Sequence, residues 1–559
     1  MDSARVTPRI EAFGGERRWL GSLAVLCPSS RKAWVLLLLA MCTGCTSWRE
    51  YVHNGFKVGP NYCRPDAEVS SHWIDEKDLR TAEDPEIVKR WWTVFKDPKL
   101  NELVACAYRQ NLTLREAGFR ILEARATRDI AVGNFFPQTQ NAAGNYSRNA
   151  SSVTDANSPV VNQFSDAWQF GFNLNWELDF WGRFRRAIAS TNASLDASVA
   201  DYDDVLVTLL ADVAQNYVTL RTCQERIVFL QENVGLQRKV LKYIQDRFDA
   251  GYKQTKLDLD QSTATLRQTE AGIPSVEITQ RQAENQLCIL LGMPPADLSH
   301  MLGSGKIPAV PSEVVLDIPA DLLRRRPDVR RAERQAAAQA EQIGIATSDL
   351  YPSFYINGSM GYSARNFPDL FKNTSFTGSV GPSFQWDLLN YGRIANNIHY
   401  QDAKFQELAT VYQNTVLTAC KEVENGLITF LRQQRRTKLL DESVAADAAA
   451  VETVILQYEK GSVDFNRYAT IAQNLVVQQD AAASSRGEIS QGLVAVFRAL
   501  GGGWEIRLES ETDLAEGATA LVDQPEPPKA KEPAAMPKPP AEPQPAPMPD
   551  EQSKADDQP

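Results

Sequence analysis

The sequence has few of the residues that build reactive or metal-binding sites. Its 559 residues include four histidines, which lie far apart, and eight cysteines, which are mostly scattered singly. It contains no phosphate-binding glycine loop, nucleophile motif or zinc motif. The five cysteines that follow Cys45 also lack the spacing of a metal site or a disulfide framework. We therefore predict that the protein is not an enzyme and that it uses no cofactor and no metal.

Basic residues are also fewer than acidic ones. Asp and Glu outnumber Lys and Arg, and the formal net charge is −11 at pH 7. Nucleic-acid binding relies on a basic surface, so this composition favours no nucleic-acid partner. Charged residues make up 23% of the chain and hydrophobic residues 43%. These fractions are typical of a folded protein and exclude a largely disordered one.

The apolar run near the N-terminus is short. The run AWVLLLLAM follows two basic residues and precedes the motif CTGC, which ends at Cys45. A run of this length is typical of a secretory signal and is too short to span a bilayer as a helix. The motif resembles a bacterial lipobox, which implies cleavage before Cys45, its acylation with palmitate, and, with Thr46 next, the outer membrane. The alternative is an ordinary signal peptide with a chance cysteine.

Two copies of one unit make up most of the chain. WELDFWGR at Trp176 recurs as WDLLNYGR at Trp386, and RFDAG ending at Gly251 recurs as QYEKG ending at Gly461, both 210 residues later. Twelve of the thirty prolines follow Asp523, which is typical of an extended, disordered segment. We predict six segments: 1–44 signal peptide, 45–96 lipidated N-terminal segment, 97–292 first repeat, 293–312 linker, 313–501 second repeat and 502–559 disordered tail.

Each copy carries a row of mostly apolar residues spaced seven apart. The rows run from Val199 to Phe248 and from Ala409 to Tyr458. A sustained seven-residue period predicts a long helix in a left-handed supercoil, and fifty helical residues reach about 75 Å. Gly251 and Gly461 suit helix C-caps. Shorter helices are predicted at 97–135, 256–291, 313–350 and 465–500, with a kink or break at Pro274.

Four segments alternate apolar and polar residues, as strands with one apolar face do. They begin near Gln138, Trp168, Phe354 and Phe376. The apolar face could pack on a helix of a soluble α+β protein. The helices, however, have only narrow apolar seams, and the face is rich in aromatic residues as lipid-facing barrel strands are, so lipid is favoured. The predicted lipid-facing residues are Trp168, Phe170, Phe172, Leu174, Trp176, Phe376, Val380, Phe384 and Trp386.

The number of strands predicts an oligomer. A bilayer admits strands only in a closed barrel, because an open sheet edge leaves backbone groups without partners. Four strands are too few to close a barrel. Several chains must therefore share one.

The motifs resemble those of the outer membrane factors, the TolC-like channels of tripartite efflux pumps, and most closely the lipoprotein branch paired with resistance-nodulation-division transporters. The resemblance covers about residues 45–505. Besides Cys45, it rests on VGPNY from Val58, WWTVFKDPKLNELV from Trp91, LLRRRPDVRRAE from Leu322 and IGIATSDLYPS from Ile343.

The resemblance implies a mainly α fold with transmembrane β structure and two internal repeats per chain. Three chains would form a trimeric 12-stranded β-barrel, continued by a long α-helical barrel. The implied partners are a homotrimer, a periplasmic adaptor protein, an inner-membrane transporter and outer membrane lipid. The protein would be lipid-anchored in the cell outer membrane and would extend into the periplasm.

The resemblance also implies a gate where the helical hairpins turn back at the periplasmic tip. The candidate residues there are Asp464, Arg467, Tyr468, Thr470, Asp258 and Asp260. Three-fold symmetry would bring equivalent side chains together at the axis. The alternative is that these are ordinary exposed turn residues.

The implied function is a passive exit duct for small molecules, driven by the inner-membrane transporter and serving multidrug or metal resistance. One alternative is the outer membrane channel of a type I protein secretion system. The other is a structural coiled-coil envelope lipoprotein, which would not need the four alternating segments. The sequence does not identify the exported substrate.

Overall fold

The structure is a computed structural model of the 559-residue chain. It describes residues 48–69, 73–74, 88–151, 163–251, 256–310 and 325–508. The predicted signal peptide, Cys45 and the Pro-rich sequence after Asp523 lie outside the described residues.

The described part consists mainly of α-helices and contains one four-stranded sheet. The helices are α1 (Trp48–His53), α2 (Pro98–Gln110), α3 (Leu112–Gly133), α4 (Arg183–Asp249), α5 (Lys256–Leu290), α6 (Ser299–Leu302), α7 (Pro327–Ser348), α8 (Arg393–Glu459) and α9 (Phe465–Ala499). The strands are β1 (Thr139–Ala150), β2 (Phe164–Leu178), β3 (Ser353–Ala364) and β4 (Phe376–Gln385). Short 3-10 helices lie at Trp91–Phe95, Phe367–Asp369, Asn373–Ser375 and Trp504–Leu508.

The two predicted repeats are confirmed by matching helix lengths. Both α4 and α8 have 67 residues, both α5 and α9 have 35, and both α3 and α7 have 22. At 1.5 Å per residue, each long helix spans about 100 Å. The long helices therefore extend beyond the predicted seven-residue rows at their N-terminal ends.

The sheet is fully antiparallel, with the order β1-β2-β3-β4. Strands β1 and β4 are its edges, so each has one side without a strand partner within the described chain. Near the sheet the helices pack in the corresponding order α3, α4, α7, α8. Further along, α5 packs on α4, and α9 packs on both long helices.

The arginine-rich motif at the start of α7 forms ion pairs that tie this helix to both long helices. Pro327 is the first residue of α7, as its fixed φ favours. The buried guanidinium of Arg326 donates to the carbonyl of Ala499 and pairs with Glu422 of α8 at 2.8 Å. Arg331 pairs with Asp201 of α4 at 2.5 Å. The motif is therefore a packed junction and not a solvated helix start.

The structure corrects one helix prediction and narrows a second. The predicted helix 97–135 is divided into α2 and α3 by Asn111, whose side chain accepts a hydrogen bond from the backbone N–H of Leu114. Such an N-cap starts a new helix. A kink or break was predicted at Pro274, and the break does not occur, because α5 continues through the proline. Pro274 lies on the exposed side of the helix, where water can bind the carbonyl that loses its donor.

Two other boundaries also differ from the sequence predictions. Strands β2 and β4 end at Leu178 and Gln385, so the alternation that continues to Phe180 and Trp386 exceeds the strands. The tail was predicted to begin at residue 502, but Trp504–Leu508 is a 3-10 helix whose Ile506 is buried. Its apolar residues pack on the helices, as buried apolar side chains do.

Candidate functional site: the two-faced sheet and the helical tip

The register places the even-numbered residues of all four strands on one face of the sheet. Directly opposite pairs such as Phe172 with Met360 and Phe354 with Phe384 lie on this face. It carries eight of the nine predicted lipid-facing residues, namely Trp168, Phe170, Phe172, Leu174, Trp176, Phe376, Val380 and Phe384. The register thus joins the apolar alternation of separate segments into one surface.

Much of this apolar face is exposed in the described chain. Val380 and Phe384 are 80% and 70% exposed. The β3–β4 connection covers one end of the face, where Phe367 lies 5.0 Å from Trp168 and Phe371 lies 6.0 Å from Phe170, both measured between ring centroids. An exposed aromatic surface of this kind is typical of a binding or membrane surface and not of a soluble core.

The opposite face, formed by the odd-numbered residues, carries amides and hydroxyls. Asn175 donates to Asn357 at 2.7 Å, and Asn357 donates to Ser383 at 2.6 Å. Ser359 and Ser379 share a hydrogen bond of 3.0 Å. Among the odd positions of the four described strands, Glu177 is the one charged residue. This face is therefore polar and almost neutral.

Equivalent tryptophans anchor the two hairpins to the helices. The indole N–H of Trp176 donates to the carbonyl of Phe135 at 3.3 Å, and that of Trp386 donates to the carbonyl of Leu350 at 3.0 Å. Trp386 follows the last residue of β4 and is half-buried. Trp386 therefore lies one residue beyond the strand, with its ring held at the junction with the helices, and its contact with lipid stays a prediction.

Both outer helices of the row α3-α4-α7-α8 expose apolar side chains on the side away from their neighbour. On α3 these follow helical spacing at Leu112, Phe119, Leu122 and Ile130. The buried stripe of α3, which includes Leu114 and Ala117, points the opposite way towards α4. On the half of α8 nearer the sheet the exposed large apolar residues are Tyr400, Val411 and Leu417, and Leu439 and Leu456 are exposed further along the helix. The sheet thus ends in edges without strand partners, and the helix row ends in exposed apolar side chains, on the same two sides.

The helical hairpin α8–α9 turns at Gly461, and α4 ends in the same way at Gly251. Their φ values of 71° and 80° lie in the left-handed region, as predicted for glycine C-caps. Asp464 is the N-cap of α9, and its carboxylate accepts from the backbone N–H of Arg467 at 3.0 Å. The side chains of Arg467 and Thr470 are exposed.

The other three candidate tip residues differ in their surroundings. Tyr468 is 2% exposed and packs in a cluster with Ile244, Tyr458 and Phe465. Burial raises the pKa of Tyr468 to about 12, so the hydroxyl is neutral over the usual pH range. Near the start of α5, Asp258 is half-buried and Asp260 is exposed.

One structural device was not predicted from the sequence. Residues 48–69, here called the strap, are held by Arg185 and Arg186 at the start of α4, which donate to backbone carbonyls of the strap. The guanidinium of Arg186 is fully buried and donates to the carbonyls of Val58 and Gly59 at 2.6 and 2.8 Å. It also pairs with Glu341 of α7 at 2.7 Å. The sequence offered only an arginine pair after WGR, with no sign of partners more than 120 residues away.

The remaining chemistry of the described residues is sparse. None of the helices that the structure describes combines the length and hydrophobicity needed to cross a membrane. Within the same residues no cluster of His, Cys, Asp and Glu could hold a metal ion. Cys223 and Cys288 are buried free thiols, as expected for core residues.

Comparison with known proteins gives a consistent picture. The family model described as outer membrane efflux protein matches residues 103–293 and 318–502. Nodulation protein T of Rhizobium leguminosarum bv. trifolii is 27% identical over 453 residues, which cover 81% of this chain and 95% of that protein. The pyoverdine export outer membrane protein OpmQ of Pseudomonas putida is 28% identical over 424 residues, covering 75% and 88%.

Solved structures show the same architecture. The outer-membrane channel OprN superposes with a TM-score of 0.74 and 30% sequence identity, covering 80% of this chain and 99% of that chain. The Campylobacter jejuni CmeC outer membrane channel gives a TM-score of 0.71 at 22% identity, covering 83% and 98%.

Proposed function

The chain belongs to the outer membrane efflux protein family, and from this premise we propose how it works as the outer membrane channel of a tripartite efflux pump. The observation that best supports this proposal is the sheet with one apolar and one polar face and two free edges, which is joined to helices about 100 Å long. The sheet suits a wall between lipid and water. The helices suit a tunnel below it.

Three copies close the barrel. The free edges of β1 and β4 would otherwise leave a row of unpaired backbone groups in the membrane. Pairing β4 of one copy with β1 of the next satisfies these groups, and three copies supply 12 strands. The apolar stripes of α3 and α8 end the helical layer on the same sides and pack together in the same step.

The internal repeat specifies contacts between copies. Within one chain, the rings of Trp181 and Tyr351 stack with centroids 4.5 Å apart. Their counterparts in the other repeat are Tyr391 and Phe136, which are both exposed and do not contact each other in this way within the chain. In the trimer, Tyr391 of one copy stacks on Phe136 of the next copy.

In the closed barrel the apolar face meets lipid and the polar face lines the duct. Eight of the aromatic and aliphatic residues predicted to face lipid lie on this exposed apolar face, Trp168 among them. Cys45, which precedes the strap by three residues in the sequence, carries the lipid. The lipid anchor adds to the membrane contact of the barrel.

The helical tip extends into the periplasm and meets an adaptor protein and an inner-membrane transporter. The transporter supplies the energy and selects the small-molecule substrate, and the duct itself has no catalytic activity. At the tip, the exposed Asp464, Arg467 and Thr470, together with Asp258 and Asp260, form the gate. The buried Tyr468 supports these residues from within the helical hairpin.

Planar-bilayer recording of the purified protein tests the proposed duct. We expect discrete, long-lived conductance steps from detergent-purified, lipid-bearing trimers. A water-soluble protein that inserts no pores would contradict the proposed function.

A further inference from the structure

Fixed charge in the membrane part of the duct is concentrated at the base of the barrel. Of the odd positions on the described strands, only Glu177 is charged, and it lies next to the end of β2. Just beyond the strand ends, a pocket of about 550 Å³ is lined by two arginines and two aspartates together with Tyr355 and Gln385. Because Tyr355 and Gln385 occupy odd positions, the pocket opens on the polar face.

The two arginines of the pocket are repeat counterparts with different surroundings. Arg183 lies 3.5 Å from the carboxylate of Glu177 and 3.7 Å from that of Asp349. Arg393 makes no side-chain ion pair or hydrogen bond with any residue that the structure describes. Asp387, the counterpart of Glu177, lines the same pocket without pairing with Arg393.

The repeat explains why Arg393 stays unpaired when copies assemble. Asp349 caps the C-terminus of α7 and neutralises Arg183. The residue in the equivalent place at the end of α3 is Asn134, which carries no charge. A neighbouring copy therefore offers Arg393 an amide where Arg183 meets a carboxylate.

The position of Arg393 is also electrostatically unfavourable for the helix. Both Arg183 and Arg393 are the first residue of a 67-residue helix, where the macrodipole disfavours a cation. At Arg183 two carboxylates offset this effect. At Arg393 no described carboxylate lies within ion-pair distance, and its exposed side chain lines the pocket.

We propose that Arg393 and Asp387 form a charge filter in the duct at the base of the barrel. The inference rests on the proposed trimeric channel, in which three copies place three of each side chain around the axis. Arg393 attracts anionic groups, such as carboxylates, of passing solutes, and Asp387 attracts cationic groups. Above this filter the neutral polar face of the barrel does not sort solutes by charge.

Single-channel recording in a KCl gradient tests the filter. Arg393→Gln shifts the reversal potential towards K⁺ selectivity, and Asp387→Asn shifts it towards Cl⁻ selectivity. Each substitution changes the permeability ratio about fourfold or more, because one unit charge at about 10 Å in water changes the local concentrations of K⁺ and Cl⁻ about twofold each in opposite directions, and the trimer loses three such charges. Arg148→Gln is the matched control, because Arg148 lies on the other face of the sheet, and it leaves the ratio unchanged.

Pores of wild-type conductance whose reversal potential is the same in wild type, Arg393→Gln and Asp387→Asn overturn the filter while leaving the duct intact. Absence of pores in the wild-type protein contradicts the proposed function itself, so the two failures are distinguishable.

Discussion

At the scale of single residues, the hydroxyls of two buried tyrosines differ in whether they have a hydrogen-bond partner. Tyr217 is 1% exposed, and its hydroxyl donates to the carboxylate of Asp97 at 2.7 Å. The hydroxyl of Tyr468 is buried without a hydrogen-bond partner among the described residues. A buried polar group left without a partner costs about 1–3 kcal/mol.

Tyr468→Phe is therefore expected to raise the free energy of unfolding by about 1 kcal/mol, since it removes an unsatisfied hydroxyl and keeps the ring. The matched control Tyr217→Phe is expected to lower it by a similar amount, because Asp97 loses its donor. Thermal unfolding of the purified variants measures both. Equal destabilisation by the two substitutions would show that the hydroxyl of Tyr468 has a partner.

The second prediction at this scale concerns Arg186. Arg186→Gln leaves Glu341 and two strap carbonyls without their donor, and breaking a buried ion pair costs about 3–5 kcal/mol. We expect the strap to become sensitive to protease in the folded protein, as limited proteolysis with mass spectrometry would show. Arg148→Gln removes an exposed guanidinium as the control. A strap that stays protected in Arg186→Gln would mean that other contacts hold it.

At the scale of elements, the tip hairpin offers a test of the proposed gate. Asp464 has a structural role as N-cap, so Asp464→Ser is the suitable change, because serine keeps a capping oxygen and removes the charge. Asp464→Ser and Arg467→Ala are both expected to raise the conductance of the closed pore in bilayer recordings. Unchanged closed-state conductance in both variants would refute a gate at these residues.

The elements themselves were largely predictable from the sequence. The seven-residue rows identified both long helices, and the alternation identified the strands, because each period reflects burial on one side of one element. The boundary at Asn111 and the continuous helix at Pro274 could not be predicted in this way. The boundary depends on a single N-cap, and the continuous helix depends on a single carbonyl on the exposed side. Neither feature produces a periodic pattern in the sequence.

Contacts between distant segments were less predictable. The motif at Leu322 identified the family, but its carboxylate partners on α4 and α8 could not be inferred from it. The strap contacts of Arg186 lie 127 and 128 residues away in sequence. Tyr468 was predicted as a tip residue from its distance to Gly461, and only the packing shows that its side chain points into the core.

At the scale of the whole molecule, one chain cannot complete its own structure. The sheet has two free edges, and the outer helices expose apolar stripes on the same sides. The repeat predicts how copies meet. Asn173 on β2 pairs with Ser359 on β3, and the counterparts of these residues are Ser383 on β4 and Asn145 on β1. The same register thus places Ser383 of one copy opposite Asn145 of the next copy.

The most direct test is therefore a cysteine cross-link across this seam. Directly opposite strand residues lie close enough for a disulfide when both are cysteine. On oxidation, the double variant Asn145→Cys with Ser383→Cys is expected to give covalent dimers and trimers and nothing larger on a non-reducing gel. Each single variant should stay monomeric. A folded double variant that yields only monomers, or ladders beyond three chains, would contradict a barrel shared by three copies.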